Sequence, residues 1–130
     1  MKKYIILVIT FIFLSLAAQT KPMLKGLTAQ EFAERQTEIL KDKINLPQEL
    51  IKTIDNLNLS YANQIYTLCD ADKTYAEIKK AFYDLVDKKK IEITNLLPEE
   101  NKEFYSALED KFKQTTWVEI KKYIKKRGVK

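Results

Sequence analysis

Between Gly26 and Gly128 the chain contains no glycine, and Pro47 and Pro98 are the only prolines in that span. Tight hairpins depend on Gly, Asn-Gly or Asp-Gly turns, and none is available across the body of the molecule. A sheet is therefore hard to build here. Apolar residues recur instead at the spacing of one helix face.

The first helix is predicted to start at Thr28. In Leu27-Thr28-Ala29-Gln30-Glu31 a threonine stands three residues before a glutamate, the pattern of a capping box. Phe32, Ala33, Ile39, Leu40 and Ile44 follow at helical spacing, up to a break at Asn45-Leu46-Pro47, because the residue before proline avoids helical angles. The second helix carries Leu50, Ile51, Ile54, Leu57, Tyr61, Ala62, Ile65 and Leu68, and ends near Cys69-Asp70-Ala71-Asp72. Asp70 or Asp72 is the expected cap of the third, which carries Tyr75, Ile78, Ala81, Phe82, Leu85 and Val86. It reaches Lys88-Lys89-Lys90, read as a solvated face or a helix end, and Ile91 and Ile93 extend it. A fourth follows Pro98, with Phe104, Tyr105, Leu108 and Phe112, then Trp117, Val118, Ile120, Tyr123 and Ile124 beyond a weak interruption at Gln114-Thr115-Thr116. Whether residues 98–127 make one helix or two is left open. The expected fold is all-α: about four amphipathic helices in an elongated antiparallel hairpin array or bundle.

The start of the chain reads as a secretory signal. Met1-Lys2-Lys3 is positive, residues 4–16 are almost unbroken apolar sequence, and Ser15-Leu16-Ala17 and Leu16-Ala17-Ala18 offer small-residue cleavage sites. That layout predicts cleavage near residue 17 or 18. A retained anchor is the alternative, although the apolar run falls short of the roughly 20 residues that span a bilayer. Residues 19–130 are then one helical domain. Its single cysteine, Cys69, leaves the domain to be held by packing, which leans toward the bacterial periplasm. Cys69 is read as a buried side chain, with crosslinking between chains as the alternative.

Charge gathers at the end. Residues 119–130 hold six basic residues and one acid, whereas residues 19–118 hold 15 basic and 17 acidic ones. Such an end attracts anionic lipid or acidic polypeptide, or simply complements a helix C-terminus. Nucleic acid is set aside as a partner because an exported protein rarely meets it.

Catalytic chemistry is hard to place. There is no histidine, hence no ordinary general base at neutral pH and no commonest metal ligand. One cysteine cannot form a zinc cluster, and neither a phosphate loop nor a Gly-x-Ser-x-Gly elbow is present. The pairs Glu99–Glu100 and Glu109–Asp110 are read as solvated charges. A non-enzyme without a cofactor is expected. Aromatics are plentiful, and Tyr66, Tyr83, Trp117 and Tyr123 fall beside the main stripes or next to lysines. A thin array that cannot cover them all would leave a dimer interface or a surface for other proteins.

Three phrases mark helix starts: Leu27-Thr28-Ala29-Gln30-Glu31, Leu46-Pro47-Gln48-Glu49-Leu50 and Leu97-Pro98-Glu99-Glu100-Asn101. In a small, exported, glycine-poor helical chain they resemble the Leu-Thr-x-x-Gln motifs of the Spy/CpxP family of periplasmic proteins. Only the first keeps the threonine, with Gln30 one place early, while Pro47 and Pro98 replace it in the others. The resemblance implies an antiparallel homodimer that holds unfolded or partly folded envelope proteins without ATP, or docks on the sensor domain of an envelope-stress kinase. Contact with a membrane surface through the basic end is a further alternative. By position, the resemblance points to Lys79, Lys80, Phe82, Tyr83, Lys88 and Lys89 as a client-facing surface. The family's zinc-binding branch relies on histidine, so no metal role is implied here.

Overall fold

The computed structural model describes residues 20–130, and the expected signal segment with its cleavage site lies outside them. After a 3-10 turn at Leu24–Gly26 come four helices packed antiparallel. They are α1 (Ala29–Lys43), α2 (Gln48–Cys69), α3 (Tyr75–Thr94) and α4 (Glu99–Lys126). No strand occurs among the described residues.

The capping box at α1 forms as its spacing predicts. Glu31 N–H donates to Thr28 Oγ1 at 3.2 Å, and Thr28 N–H donates to Glu31 Oε1 at 2.9 Å. The expectation that Asp70 or Asp72 caps α3 is corrected: Thr74 caps it, and Glu77 closes a second box with the same two distances, 3.2 and 2.9 Å. A cap must sit directly before the first helical residue, and residues 70–73 are still turning. Asp70 accepts the Tyr123 hydroxyl instead, at 2.6 Å.

The hydrogen bond from each cap's backbone N–H, then that of the threonine side chain, holds the Glu31 and Glu77 carboxyls below their ordinary 4.5. A carboxyl lowered on folding stabilises the native state above its unfolded value, and that contribution fades as pH falls through the lowered folded value. Two results are expected in urea titrations. Thr28→Ala and Thr74→Ala each cost about 1 kcal/mol at neutral pH. The loss of stability on acidification is shallower in Glu31→Gln/Glu77→Gln protein than in the parent.

Pro47 and Pro98 occupy the N-cap position, with ψ of 145° and 148°, one residue before the first helical turn. The ring sets φ, and the Pro47 carbonyl accepts the Ile51 N–H at 3.1 Å. The preceding leucines fold inward, and Leu46 and Leu97 join the same apolar cluster. Both Leu-Pro turns thus lie at one end of the array. Among the described residues positive φ is confined to Lys25, Gly26 and Gly128. At Gly128, with φ +83°, the chain leaves α4, and the Val129 and Gly128 N–H groups reach back to the Ile124 and Lys125 carbonyls at 3.0 and 3.1 Å. That pattern is a Schellman closure. The glycines therefore stand just outside the helical body, where left-handed backbone is needed.

α4 is one unbroken helix of 28 residues. Its Gln114-Thr115-Thr116 stretch stays helical, with the Thr115 hydroxyl donating to the Lys111 carbonyl at 3.1 Å and Thr116 buried. The basic end is part of the fold. Ile120 and Ile124 are buried, Arg127 donates to the Ala71 carbonyl at 2.8 Å, and Tyr75 N–H donates to the Lys130 carbonyl at 3.2 Å. Lys121, Lys122, Lys125 and Lys126 point to solvent.

Packing joins α1 to α2, α2 to α3 and α3 to α4, whereas α1 and α4 share no comparable seam. The core has two parts. One gathers Phe32, Ile65, Tyr66, Ile78, Phe82, Trp117 and Ile120 around Leu24 of the 3-10 turn. The other gathers Leu40, Ile54, Ile93 and Tyr105 with the two turn leucines. Several aromatics expected at the surface are inside: Tyr66 is buried and donates to the Leu27 carbonyl at 2.7 Å, and Trp117 stacks on Phe82 with ring centroids 6.0 Å apart. Conversely, Ile39, Phe104 and Val118 are exposed. Each neighbours a buried stripe residue, and one step along a helix turns a side chain by about 100°.

Cys69 is buried and free, and burial pushes its thiol up to about 12. A linkage between chains through Cys69 requires the end of α2 to open. The thiol is expected to ignore an aromatic disulfide reagent in native protein and to react only as fast as the fold opens, a rate readable by stopped-flow absorbance.

Candidate functional site

A polar layer separates the two parts of the core, and its centre is Lys89. This residue continues the α3 stripe of Ile78, Phe82, Val86 and Ile93, so the helix points it inward. Its Nζ lies 3.0 Å from Glu109 Oε1 on α4 and donates to Gln36 Oε1 on α1 at 2.5 Å. It also stands 4.1 Å from the centroid of the Phe112 ring. Tyr105 OH donates to the same Glu109 oxygen at 2.8 Å. The layer extends through α2, where Asn58 donates to Thr37 Oγ1 at 3.0 Å, Thr37 donates to Asp55 at 2.6 Å, and Tyr61 donates to Glu92 at 2.6 Å. All four helices contribute.

Lys89 and Glu109 are 1% and 5% exposed. Burial lowers the Lys89 pKa from its ordinary 10.5, and the Glu109 carboxylate opposes that shift. Burial, reinforced by the Glu109 charge, drives the Tyr105 phenol upward. Tyr105 is therefore a donor at any ordinary pH. Glu109 Oε2 is buried without a hydrogen-bond partner.

Where α1 and α4 fail to close, this layer underlies a groove of about 430 Å³. Phe32 and Phe112 bridge it from opposite walls with ring centroids 5.7 Å apart. Ile39, Leu40 and Leu108 add apolar surface, while Gln36, Asn58, Tyr105 and Glu109 supply the polar centre. Lys25, Arg35, Lys43 and Lys111 also line it, and all four are exposed. None of the four makes an ion pair among the described residues.

The surface expected on α3 does not assemble. Phe82 is fully buried and Lys89 is sealed in the polar layer. Lys79 lies over the Tyr83 and Trp117 rings at 5.7 and 5.8 Å, Tyr83 is half-buried, Lys80 pairs with Asp84 at 3.0 Å, and Lys88 is exposed. Six residues spread over three helical turns surround the helix rather than share one face. The helix-start residues act as helix starts: Thr28, Pro47 and Pro98 are N-caps, Leu46 and Leu97 are core, and Leu27 offers its carbonyl to Tyr66. Gln30, Gln48 and Glu99 are exposed, Gln30 bonding Glu34 and Glu99 pairing with Lys102.

Glu109 overturns its reading as a solvated charge. The available signal was its spacing: it continues the buried series Tyr105, Thr116, Ile120 and Ile124 on α4, as Lys89 does on α3. Gln36, between Phe32 and Leu40, and Asn58, between Ile54 and Ala62, carry the same spacing on α1 and α2.

Among the described residues, no three of His, Cys, Asp or Glu gather as a metal site, and no described helix is long and apolar enough to cross a membrane. No protein-family model, no curated protein and no solved structure matches this chain.

Proposed function

We propose that the chain is an exported, ATP-independent holdase that binds partly unfolded envelope proteins and performs no catalysis. The groove between α1 and α4 carries this reading: exposed Ile39 and half-buried Leu108 and Phe112 lie between the helices, rimmed by four cations that make no ion pair among the described residues. Partly folded chains expose apolar surface that such a groove takes up, and the cations favour acidic segments. The groove is formed in the resting fold, so binding needs no nucleotide-driven rearrangement. Pairing of two copies belongs to the same reading, with exposed Ile91, Leu96 and Phe104 supplying apolar area outside the groove.

The test is light scattering from an aggregating model client. Near-stoichiometric protein is expected to suppress the rise, and Ile39→Glu, on an exposed groove wall, to weaken suppression without moving the urea midpoint. A scattering trace unchanged at several-fold excess of parent protein sinks the holdase reading.

A further inference from the structure

Three of the four seams around this array are closed by neighbouring helices, and the fourth is open. Its walls run from Phe32 to Lys43 on α1 and from Tyr105 to Thr116 on α4. Each spans about 16 Å at 1.5 Å per residue, or three helical turns. Both walls are helices whose backbone groups are satisfied internally, and they present no unpaired strand edge. An extended peptide would lose solvation of its own N–H and C=O groups on entering and find no backbone ladder to replace it. A helix brings its backbone already paired.

Charge narrows the choice further. Arg35 and Lys111 stand on opposite walls, Lys25 and Lys43 complete the rim, and the only acid lining the groove, Glu109, is tied to Lys89. The acids of α1, namely Glu31, Glu34, Glu38 and Asp42, line a separate furrow beyond the ridge of Arg35 and Ile39. The groove floor is also divided, apolar at Phe32 and Phe112 and polar at Gln36 and Glu109. A saturated acyl chain would cover those polar groups without answering them, whereas a peptide side chain can donate there.

We propose that the occupant of this groove is an acidic amphipathic helix of about three turns, supplied by the bound protein. Its apolar stripe lies on Phe32, Ile39, Leu108 and Phe112, and its flanking carboxylates face Arg35 and Lys111. An uncharged polar residue sits at the middle of the stripe. The inference rests on the reading of the chain as a binder of partly folded polypeptide, and it names the element that is held.

Fluorescence anisotropy with full-length protein tests it. The probe is a labelled synthetic helix of about 12 residues with leucines at i, i+3, i+7 and i+10, glutamine at i+4 and glutamates on both flanks. Saturable binding is expected, weakened about tenfold when the glutamates become lysines. Arg35→Gln/Lys111→Gln should weaken it about three- to tenfold with an unchanged urea midpoint, and added salt should weaken it further. Equal binding of acidic and basic peptides, or no saturable binding, overturns the proposal. So does saturable uptake of dodecanoate that excludes the peptide. Client protection without peptide binding removes this groove assignment and leaves the holdase reading standing. Peptide binding without client protection does the reverse.

Discussion

Lys89→Met is expected to lower the unfolding free energy by about 3–5 kcal/mol, the range for breaking a buried ion pair from one side. The substitution leaves Glu109 buried with a carboxylate that has lost its cation and keeps only the Tyr105 hydroxyl as a donor. Gln36 loses its partner in the same step. Since a domain of this size is stable by roughly 5–15 kcal/mol, the single variant should be partly unfolded or nearly so. Adding Glu109→Leu removes the stranded charge, and the double variant is expected to recover most or all of the loss, because apolar replacements of buried pairs are often neutral or stabilising. Urea unfolding of the parent, both single variants and the double variant closes the cycle. A Lys89→Met protein as stable as the parent would show that the pair is not buried as described.

Phe82→Ala should cost about 3–5 kcal/mol, as expected for a buried phenylalanine that leaves a cavity. The ring is fully enclosed and stacked on Trp117. Lys80→Ala, two residues earlier on the same helix, should move stability by no more than about 0.5 kcal/mol. Its ammonium is exposed and bonded only to Asp84 one turn away. The contrast between the two urea midpoints separates a residue that builds the core from one that decorates the surface. Comparable small effects at both positions would contradict the packing of α3.

Local rules carried most of the architecture. The Thr28 box and the two Leu-Pro breaks mark three helix starts, and the break at Cys69-Asp70-Ala71-Asp72 parts the second helix from the third, because each signal acts within a few residues along the chain. The second box, Thr74 to Glu77, follows the same rule as Thr28 to Glu31, but the nearby aspartates compete as caps and draw attention upstream. What stayed hidden was the meaning of charge on a stripe. Lys89 and Glu109 occupy buried positions by spacing, yet an isolated stripe cannot show whether a lysine there meets a carboxylate or ends the helix. Their partnership depends on α3 and α4 meeting in one register, and on Gln36 arriving from α1. The groove was less legible still. It results from a seam that α1 and α4 do not close, and no single residue announces a missing contact.

The order of those seams also bears on how the molecule forms. Every extensive helix contact joins neighbours in the chain, so each new helix can dock on the one made just before it. The one late closure is that of Leu24 in the 3-10 turn, which meets Trp117 and Ile120 only when α4 is in place. Folds dominated by such short-range contacts assemble on the order of microseconds to milliseconds. For this chain, zippering can run from helix to helix in chain order, and Leu24 and Phe32 wait for Phe112, Trp117 and Ile120 to complete their part of the core.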